Sequence, residues 1–312
     1  MKSDERRFLF IVNPEAGRGR SRKIDSILCS ALKHYNIHFL IQRTAGAGDA
    51  THIAQTRADE FDVVVAVGGD GTSNEVANGL LGSGATMGVI PCGSGNDFGK
   101  MLGMSRNIER AVADIVACRT ERIDSGRVKL RDEEDRLTLR SFVNSIGIGF
   151  DAVVAYESQQ LKNLRGIPLY FLSVLRSLKR LKPHSFEMAL NGIEHKDNYS
   201  LVCVGNGGRE GGGFLMTPGA DPRDGLFRIC SVRHVSMLRA LRILPTLLTG
   251  RHGRFAEVEF FDSPRVRIGS SKPFVVHCDG EIIGTANKHV EVELNAKSLE
   301  VVVGAPGLRA AT

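Results

Sequence analysis

The sequence predicts an α/β amino-terminal domain with an open, mainly parallel sheet, followed by a carboxyl-terminal all-β sandwich domain. In the first third of the chain, short β-branched runs alternate with helical patterns, which is typical of right-handed crossovers in a parallel sheet. From about Thr120 onward, short alternating strands dominate, with glycine-rich or polar turns between them. The length of 312 residues suits about two domains. We therefore expect domains at residues 1–120 and 121–295, with 296–312 either rejoining the first domain or extending the second sheet.

Apolar periodicity defines the elements of the first domain. The predicted strands are Arg7–Val12, Ile37–Gln42, Asp62–Val67 and Thr86–Ile90. The predicted helices are Ser21–Tyr35, Gly48–Asp59, Asn74–Leu81 and Ile108–Ala117. Because the run Asp62–Val67 is apolar almost throughout, we expect that strand to be buried on both faces of the sheet.

The second domain is predicted to consist mainly of strands, with two helical interruptions at Ser158–Leu181 and His234–Leu248. The predicted strands are Glu121–Val128, Thr138–Ser145, Phe186–Leu190, Leu201–Val204, Leu226–Val232, Glu257–Phe261, Arg265–Ile268, Phe274–Cys278, His289–Leu294 and Leu299–Val303. The charged stretch Lys129–Arg136 is expected to form a solvated hairpin tip.

Composition and charge narrow the class of partner. The net charge of +6 favours anionic partners, which include a nucleotide, a nucleic acid and an acidic membrane surface. With no tryptophan and 6% aromatic residues, no nucleic-acid platform is expected. The charge-free stretch Gly166 to Leu175 is far shorter than the roughly 20 residues of a membrane span. Neither a Cys-x-x-Cys pair nor a signal-peptide core occurs, so we expect a cytoplasmic protein with reduced thiols.

The strongest chemical motif follows the third predicted strand. Glycines there let the backbone approach a polyphosphate closely, and the free N–H groups of a helix N-terminus attract anions. Asp70 is a natural holder of a magnesium ion on the phosphates. The alternative is an ordinary strand–helix turn with Thr72 as the cap. The candidate nucleotide-binding residues of this motif are Gly68, Gly69, Asp70, Gly71, Thr72 and Asn74.

Two further loops are expected at the same edge. After the fourth strand, Ser94, Asn96 and Asp97 offer a hydroxyl, an amide and a carboxylate to phosphate, ribose or metal. Taken alone, this segment is more typical of a Pro-Gly turn with local caps. The loop after the first strand and the end of the second strand add the candidates Asn13, Pro14, Gly17 and Thr44. Ligands of open α/β sheets bind where the carboxyl ends of strands cluster, which favours one shared nucleotide site.

Several motifs of other enzymes are absent. The sequence has no Gly-x4-Gly-Lys-Ser/Thr, no His-Arg-Asp, no His-Glu-x-x-His and no Gly-x-Ser-x-Gly. The segment Gly147–Ala152 matches a loose dinucleotide pattern, but no βαβ unit follows it, so no nucleotide role is assigned to it.

Together these motifs resemble the diacylglycerol kinase catalytic domain family, which includes bacterial lipid kinases, sphingosine kinases and ceramide kinases. The Gly-Gly-Asp-Gly-Thr string is also shared with NAD kinases and phosphofructokinases, whereas the late Asp-Gly-Glu and the triple glycine favour lipid kinases. The matching pieces cover nearly the whole chain in family order: Asn13-Pro14 with Gly17, Thr44, Gly68–Glu75, Gly93–Asp97, Asn144 with Gly149–Ala152, Gly211–Gly213 with Pro218, Asp224–Leu226 and Asp279–Glu281.

This resemblance implies an NAD kinase- and phosphofructokinase-like first domain and a Mg²⁺-dependent transfer of the γ-phosphoryl group of ATP to a lipid hydroxyl. It implies an ATP site between the two domains, with Glu281 as the general base. From the residues alone, Asp279 and Glu281 are more typical of a strand-end turn. In several bacterial members a second magnesium ion has ligands that match Asp221, Asp224 and the carbonyl of Leu226. An Asp-Pro-Arg-Asp-Gly turn is a reasonable oxygen cage, but such turns are common.

A lipid acceptor requires contact with a membrane. Leu161–His184 and Arg233–Arg254 each combine Arg or Lys with apolar residues, as helices on anionic headgroups do. The alternative for each is a helix packed on the sandwich with a solvated basic face. We expect peripheral membrane association. The rival functions are a kinase of a soluble substrate, like NAD kinase, and a nucleotide-binding regulator without transfer activity. The lipid acceptor and the oligomeric state, a homodimer included, stay open.

Overall fold

The computed structural model describes residues 6–17, 21–160, 166–178 and 184–305. They fall into two compact units. The first lies within Met1–Ile123 and Lys297–Arg309, and the second lies within Asp124–Ala296. Each unit is described by itself below.

The first unit contains a parallel sheet. Its strands are β1 (Arg7–Val12), β2 (His38–Arg43), β3 (Val63–Gly68) and β4 (Thr86–Pro91). They lie in the order β2, β1, β3, β4, and all neighbouring pairs are parallel. The end of the last strand, which runs over Glu281–Val302, returns to this unit and pairs in parallel with β4 through Val301 and Met87. The side chains of β3 and β4 are buried throughout, as the apolar run of β3 predicts.

Five α-helices accompany this sheet in the described residues. They are α1 (Ser21–Lys33), α2 (Asp49–Arg57), α3 (Asp70–Leu80), α4 (Asp97–Met101) and α5 (Ile108–Ala117), and a 3-10 turn at Ala58–Glu60 follows α2. The helix predicted at Asn74–Leu81 begins four residues earlier, at Asp70, because Gly69 in extended conformation already serves as its N-cap. The short helix α4 is not predicted by periodicity, since five residues cannot display it.

The second unit consists mainly of antiparallel strands. They are β5 (Thr120–Asp132), β6 (Leu137–Phe142), β7 (Ser145–Gly149), β8 (His184–Leu190), β9 (Ile193–Gly205), β10 (Arg209–Glu210), β11 (Phe214–Leu215), β12 (Phe227–Arg233), β13 (Val258–Ser263), β14 (Arg265–Cys278) and β15 (Glu281–Val302). Strands β13, β12, β9, β7 and β14 are neighbours in that order, and β8 pairs with both β9 and β14. The inward faces form one apolar core, in which the rings of Phe142 and Phe227 stack at 5.6 Å.

The limits of several predicted strands are wrong, and in three places predicted strands are merged or divided. The predicted strands Arg265–Ile268 and Phe274–Cys278 form one strand, because β-bulges carry the pairing through the polar stretch between them. The last two predicted strands likewise belong to the continuous β15. The predicted strand Thr138–Ser145 is two strands, because the backbone at residues 143–145 donates hydrogen bonds to the Asp279 carboxylate instead of continuing the ladder of β6.

The helices of the second unit are α6 (Phe150–Gln160), α7 (Gly166–Ser177) and α8 (Met237–Ile243), and 3-10 turns follow α8 at Leu244–Thr249 and Arg251–Arg254. The helix predicted at His234–Leu248 stops being an α-helix after Ile243, because Pro245 has no N–H group to donate. The helix predicted at Ser158–Leu181 is divided between α6 and α7, and its residues 161–165 and 179–181 lie outside the described residues. Within the described parts of the chain, no helix is long and apolar enough to cross a membrane.

Candidate active site

The loops that follow β1, β2 and β3 meet at the carboxyl edge of the parallel sheet. The Asn13 side chain donates a hydrogen bond from Nδ2 to Thr72 Oγ1 at 2.9 Å. The Asn13 N–H donates to the carbonyl of Val67 at 3.0 Å, and the Thr44 N–H donates to that of Val12 at 2.9 Å. The structure therefore brings the candidates Asn13, Thr44 and Thr72 to one edge.

Two glycine loops pack backbone against backbone at this edge. A Cβ atom at Gly93 would lie 2.5 Å from the Cα of Gly69, and one at Gly68 would lie 2.4 Å from Thr72 Oγ1. A side chain at Gly93 would push the two loops apart, and one at Gly68 would collide with Thr72. A Cβ atom at Gly71 would meet no atom within 4 Å. Packing within the described residues therefore does not explain why a glycine stands at position 71, and the space beside Gly71 is open.

Helix α3 begins at this opening without a side-chain cap. Its N-cap is Gly69, and within the described residues no side-chain cap accepts a hydrogen bond from its first turn. The alternative in which Thr72 caps the helix is wrong, because Thr72 lies inside the first turn and its hydroxyl accepts from Asn13. The N-terminus of an α-helix carries partial positive charge and unsatisfied N–H groups. This end of α3 can therefore bind an anion.

Two carboxylates lie next to the glycine loops. Asp70, the first residue of α3, accepts a hydrogen bond at Oδ1 from the N–H of Phe98 at 3.1 Å, which ties α3 to the start of α4. Asp97 is buried and pairs through Oδ1 with Lys100 Nζ at 2.9 Å. Asp70 is thus held at the edge, whereas Asp97 is already neutralised by a lysine one turn away.

The remaining candidates of these loops differ in exposure. The Asn96 side chain closes its own turn, since Oδ1 accepts from Gly93 N–H at 2.7 Å and Nδ2 donates to the Gly93 carbonyl at 2.8 Å. Asn74 is buried one turn into α3 and accepts from Asn78 Nδ2 at 3.1 Å. Ser94 is exposed. Of the three, Ser94 alone presents its side chain to solvent.

Pro14 and Gly17 lie in the turn after β1. The Glu15 N–H donates to Asn13 Oδ1 at 2.9 Å, so the same side chain that contacts Thr72 also shapes this turn. Gly17 has a φ of 63°, in the left-handed region that favours glycine. The next three residues, 18–20, lie outside the described residues.

In the second unit, Glu281 follows a tight turn between β14 and β15. Asp279 and Gly280 form the turn, with φ values of 47° and 84°, and Cys278 pairs with Glu281 across it. The Glu281 side chain is 61% exposed, and both of its oxygens lie 3.3 Å from an Arg140 guanidinium nitrogen. Glu281 belongs to the second unit and Asp70 to the first, so their action in one reaction stays a prediction.

Asp279 anchors this turn to the start of β7. Its carboxylate accepts three backbone hydrogen bonds, from Val143 at 3.1 Å, Asn144 at 3.0 Å and Ser145 at 2.8 Å. The Asp279 N–H in turn donates to the Ser145 carbonyl at 2.8 Å. These charge-assisted hydrogen bonds fix Asp279, two residues before the exposed Glu281.

The predicted metal ligands Asp221, Asp224 and Leu226 lie close together in one turn. Both Asp221 oxygens are engaged by Arg223, at 2.7 Å and 2.8 Å, and this guanidinium lowers the pKa of Asp221. Burial raises the pKa of Asp224, and the nearby carboxylates of Asp221, Asp124 and Asp262 add to the effect. The turn thus concentrates negative charge, and the Arg223 guanidinium pairs with one of its carboxylates.

Sequence reasoning missed a buried cluster formed by Asp151, Glu210 and His277. The Nε2 atom of His277 lies 2.7 Å from Glu210 Oε1 and 3.2 Å from Asp151 Oδ2, and all three residues are buried. Burial and the neighbouring Asp151 raise the pKa of Glu210. Burial acts to lower the pKa of His277, but the two carboxylates outweigh it and hold that pKa well above its usual range. These three residues are far apart in the sequence and form no local motif. Of the three, only Asp151 lies in a segment that the family resemblance includes.

An apolar pocket lies among the helices of the second unit. Its volume is about 60 Å³, room for about two water molecules. Its walls come from α6, α7, β9, β12 and α8 with the turn that follows. They include Val154, Val174, Leu201, Val232, Ile243 and Leu247.

The start of α8 exposes apolar side chains beside basic ones. Met237 is 51% exposed and Leu238 is 70% exposed. Arg242 and Arg251 are exposed nearby in sequence, whereas Arg239 is paired with Glu257 at 2.8 Å. In α7, Phe171 and Leu175 are also exposed. Five basic residues of the predicted membrane-contacting segment Leu161–His184 lie outside the described residues: Lys162, Arg165, Lys179, Arg180 and Lys182.

Comparisons with known proteins agree on one family. Residues 7–128 match the diacylglycerol kinase catalytic domain, and residues 144–303 match the YegS C-terminal NAD kinase beta sandwich-like domain. A diacylglycerol kinase of Mycobacterium tuberculosis is 31% identical over 274 residues, covering 87% of each chain. A diacylglycerol kinase of Bacillus subtilis is 30% identical, covering 89% of this chain and 91% of its own.

Solved structures share the fold. The crystal structure of a diacylglycerol kinase from Bacillus anthracis gives a TM-score of 0.74 at 21% identity and covers 97% of this chain and 98% of that one. Yeast NADH kinase in complex with NADH gives a TM-score of 0.56 at 10% identity, covering 96% of this chain and 84% of that one. The fold is therefore of the diacylglycerol kinase and NAD kinase type, with a β-sandwich second domain.

Proposed function

Because this chain belongs to the diacylglycerol kinase catalytic domain family and is a lipid kinase, we propose that it transfers the γ-phosphoryl group of ATP to the hydroxyl of a diacylglycerol-like lipid. One observation carries the nucleotide half of the proposal. It is the edge at which the loop of Asn13, the paired glycines Gly69 and Gly93, and the start of α3 meet.

The polyphosphate would bind at the N-terminus of α3. The uncapped N–H groups there attract negative charge, and the open space beside Gly71 lets a phosphate approach the backbone. The loop candidates Thr44 and Ser94 border the same edge and would contact the rest of the nucleotide. Asn96 and Asn74 would act by holding the backbone of their loops, since their side chains are buried and bonded within the protein.

Asp70 would hold a magnesium ion on the phosphates. A carboxylate oxygen is the donor that Mg²⁺ prefers, and Asp70 is fixed at the edge by the N–H of Phe98. Bound there, the ion would neutralise charge on the phosphate oxygens during transfer. Asp97 is less suited to this task, because Lys100 already pairs with it.

Glu281 would take the proton from the lipid hydroxyl. As the hydroxyl oxygen attacks the γ-phosphorus, its proton passes to a Glu281 carboxylate oxygen and ADP leaves. A hydroxyl is a weak nucleophile, and a positioned base accelerates such a step about 10²–10⁴-fold. Glu281 is exposed enough to meet an acceptor, and Arg140 orients its carboxylate.

The lipid would reach the enzyme at a membrane surface. Exposed Met237 and Leu238, with the basic Arg242 and Arg251, suit an anionic interface. The apolar pocket behind α8 is too small for an acyl chain as it stands. An apolar chain would therefore enter only as α7 and α8 move outward.

A second magnesium ion would bind Asp221, Asp224 and the carbonyl of Leu226. Burial raises the pKa of Asp224 and the neighbouring carboxylates add to the shift, and a divalent cation would offset the repulsion among these acids. The Arg223 guanidinium would have to leave Asp221 first, because it engages both oxygens.

The decisive experiment offers radiolabelled ATP and a panel of lipids in mixed micelles, with NAD and sugar phosphates as controls. Label in a diacylglycerol or related lipid supports the proposal. Label in NAD with none in lipid would instead favour the NAD kinase-like alternative. Nucleotide binding without label in any acceptor would favour a regulator that has lost transfer activity.

A further inference from the structure

The ring of His277 connects the buried cluster with the turn that carries Glu281. His277 lies at the end of β14, two residues before the turn, and is fully buried. Its Nδ1 atom accepts a hydrogen bond from the N–H of Gly280 at 3.3 Å. Gly280 precedes Glu281 in the chain, so this bond lies one peptide unit away from the exposed carboxylate.

The hydrogen bond from Gly280 requires that Nδ1 carry no hydrogen. The imidazole hydrogen then lies on Nε2, which faces Glu210 and Asp151. The hydrogens shared within the cluster therefore lie on the side of Nε2 and the two carboxylates, while Nδ1 accepts from Gly280.

Ser145 joins the cluster to the other side of the turn. Its hydroxyl donates to Glu210 Oε2 at 3.1 Å, while its N–H donates to Asp279 Oδ1 at 2.8 Å. Both sides of the Asp279–Gly280 turn are therefore tied to the same buried group. The strand beside His277 is also adapted to it, since a Cβ atom at Gly147 would lie 2.0 Å from His277 Nε2 and 2.4 Å from Asp151 Oδ2.

We propose that His277, held by Glu210 and Asp151, is a positioning residue that fixes the Gly280 amide and thereby aims the Glu281 carboxylate at the acceptor hydroxyl. The inference rests on the proposed role of Glu281 as the general base. Arg140 contacts the exposed end of the Glu281 side chain, whereas His277 holds the backbone from which that side chain extends. A displacement of about 1 Å at a reacting group can cost about 10²-fold in rate.

Two substitutions of His277 test the contacts of Nδ1 and of Nε2 separately. In His277→Gln the side-chain amide can reach the position of Nε2 and still donate to Glu210 and Asp151, but the hydrogen bond from the Gly280 N–H to Nδ1 is lost. In His277→Asn an amide oxygen can stay near the position of Nδ1, while the contact with the carboxylates is lost. Gln therefore tests the link to the turn, and Asn tests the buried cluster.

We expect His277→Gln to lower kcat about 10- to 100-fold, with KM for ATP and for lipid unchanged and the melting temperature near that of the wild type. Hydrogen exchange of the Gly280 amide should become faster. His277→Asn should lower the melting temperature more and kcat less. Unchanged kcat in His277→Gln, or a loss of kcat without faster exchange at Gly280, would overturn the positioning role.

The outcome is separable from that of the proposed function. If Glu281→Gln keeps wild-type turnover, the general base is misassigned, whatever His277 does. If Glu281→Gln is inactive while His277→Gln is fully active, only the positioning role fails. Elemental analysis of the purified protein is a further check. A stoichiometric metal ion that is present in the wild type and lost in His277→Gln would show that the cluster is a metal site, and this would overturn the inference.

Discussion

The carboxyl edge of the first unit and the turn of Glu281 in the second unit are constructed differently. The edge is formed by backbone: glycines pack on each other and a helix presents uncapped N–H groups. The turn is held by side chains, with Asp279 accepting three amides and His277 accepting one. The backbone site is formed by short runs of consecutive residues in a few loops. The turn depends on side chains that come from distant strands. The two regions should therefore respond differently to substitution.

The largest expected effect comes from the side-chain region. Glu281→Gln keeps the size of the side chain but removes the base, so kcat should fall about 10²–10⁴-fold in the lipid kinase assay. The matched control is Glu194→Gln, which changes an exposed acid on β9. Turnover within a few-fold of wild type in Glu281→Gln would show that the exposed acid plays no part in the chemistry.

Asp70→Asn tests the backbone region through the carboxylate that no lysine neutralises in the way Lys100 neutralises Asp97. The amide oxygen can still accept from Phe98, so the fold should survive while the charge that holds magnesium is lost. We expect kcat/KM for ATP to fall about 10²–10³-fold. Asp59→Asn, at an exposed acid in the 3-10 turn Ala58–Glu60, serves as the control. Equal activity of both variants would remove Asp70 from the site.

Gly71→Ala is a smaller change that sharpens the comparison. The new methyl group meets no protein atom, so the melting temperature should not fall. If phosphate occupies the open space, the affinity for ATP should fall about tenfold, which equals about 1.4 kcal/mol. Gly84→Ala, which also meets no atom within 4 Å, should leave the affinity unchanged. If a nucleotide titration finds that both variants bind ATP as tightly as the wild type, the phosphates do not bind at the N-terminus of α3.

The smallest expected effect concerns the acidic turn of Asp221. Arg223→Gln removes the guanidinium from both Asp221 oxygens and leaves only the backbone N–H of residue 223 on Oδ1, so binding of Mg²⁺ should strengthen roughly two- to fivefold, the range of an exposed ion pair. Calorimetric titration with MgCl₂ in the absence of nucleotide measures this. Arg136→Gln breaks a comparable pair with Asp132 and is the control. No detectable magnesium binding in either variant would rule out this second site.

The same contrast explains what could be predicted from sequence. The loop at Gly68–Thr72 could be predicted because it is one continuous string in the sequence. The alternation of strands and helices places this string at the end of a buried strand. The cluster of Asp151, Glu210 and His277 is not visible, since Asp151 and His277 are 126 residues apart and no spacing links them. The segment Gly147–Ala152 does stand out in the sequence by its glycines. In the structure, however, Gly147 makes room for His277 and Asp151 and not for a dinucleotide.

Errors in the strand limits have a related origin. The stretch between Ile268 and Phe274 is polar and begins with Gly269, which is typical of a turn, yet bulges keep it within β14. The break between β6 and β7 is set by the Asp279 carboxylate, 134 residues away from Ser145. Local pattern determines where a strand can form, and distant partners determine where it stops.

The ion pair of Arg140 and Glu281 has a consequence for the conditions in which the enzyme works. Both side chains are largely exposed, at 43% and 61%. Dissolved salt screens such pairs strongly and buried groups weakly. Rising ionic strength should therefore loosen the carboxylate from its arginine while the buried anchors beneath it keep their geometry, so that the electrolyte around the protein acts on the outermost contact of the turn alone.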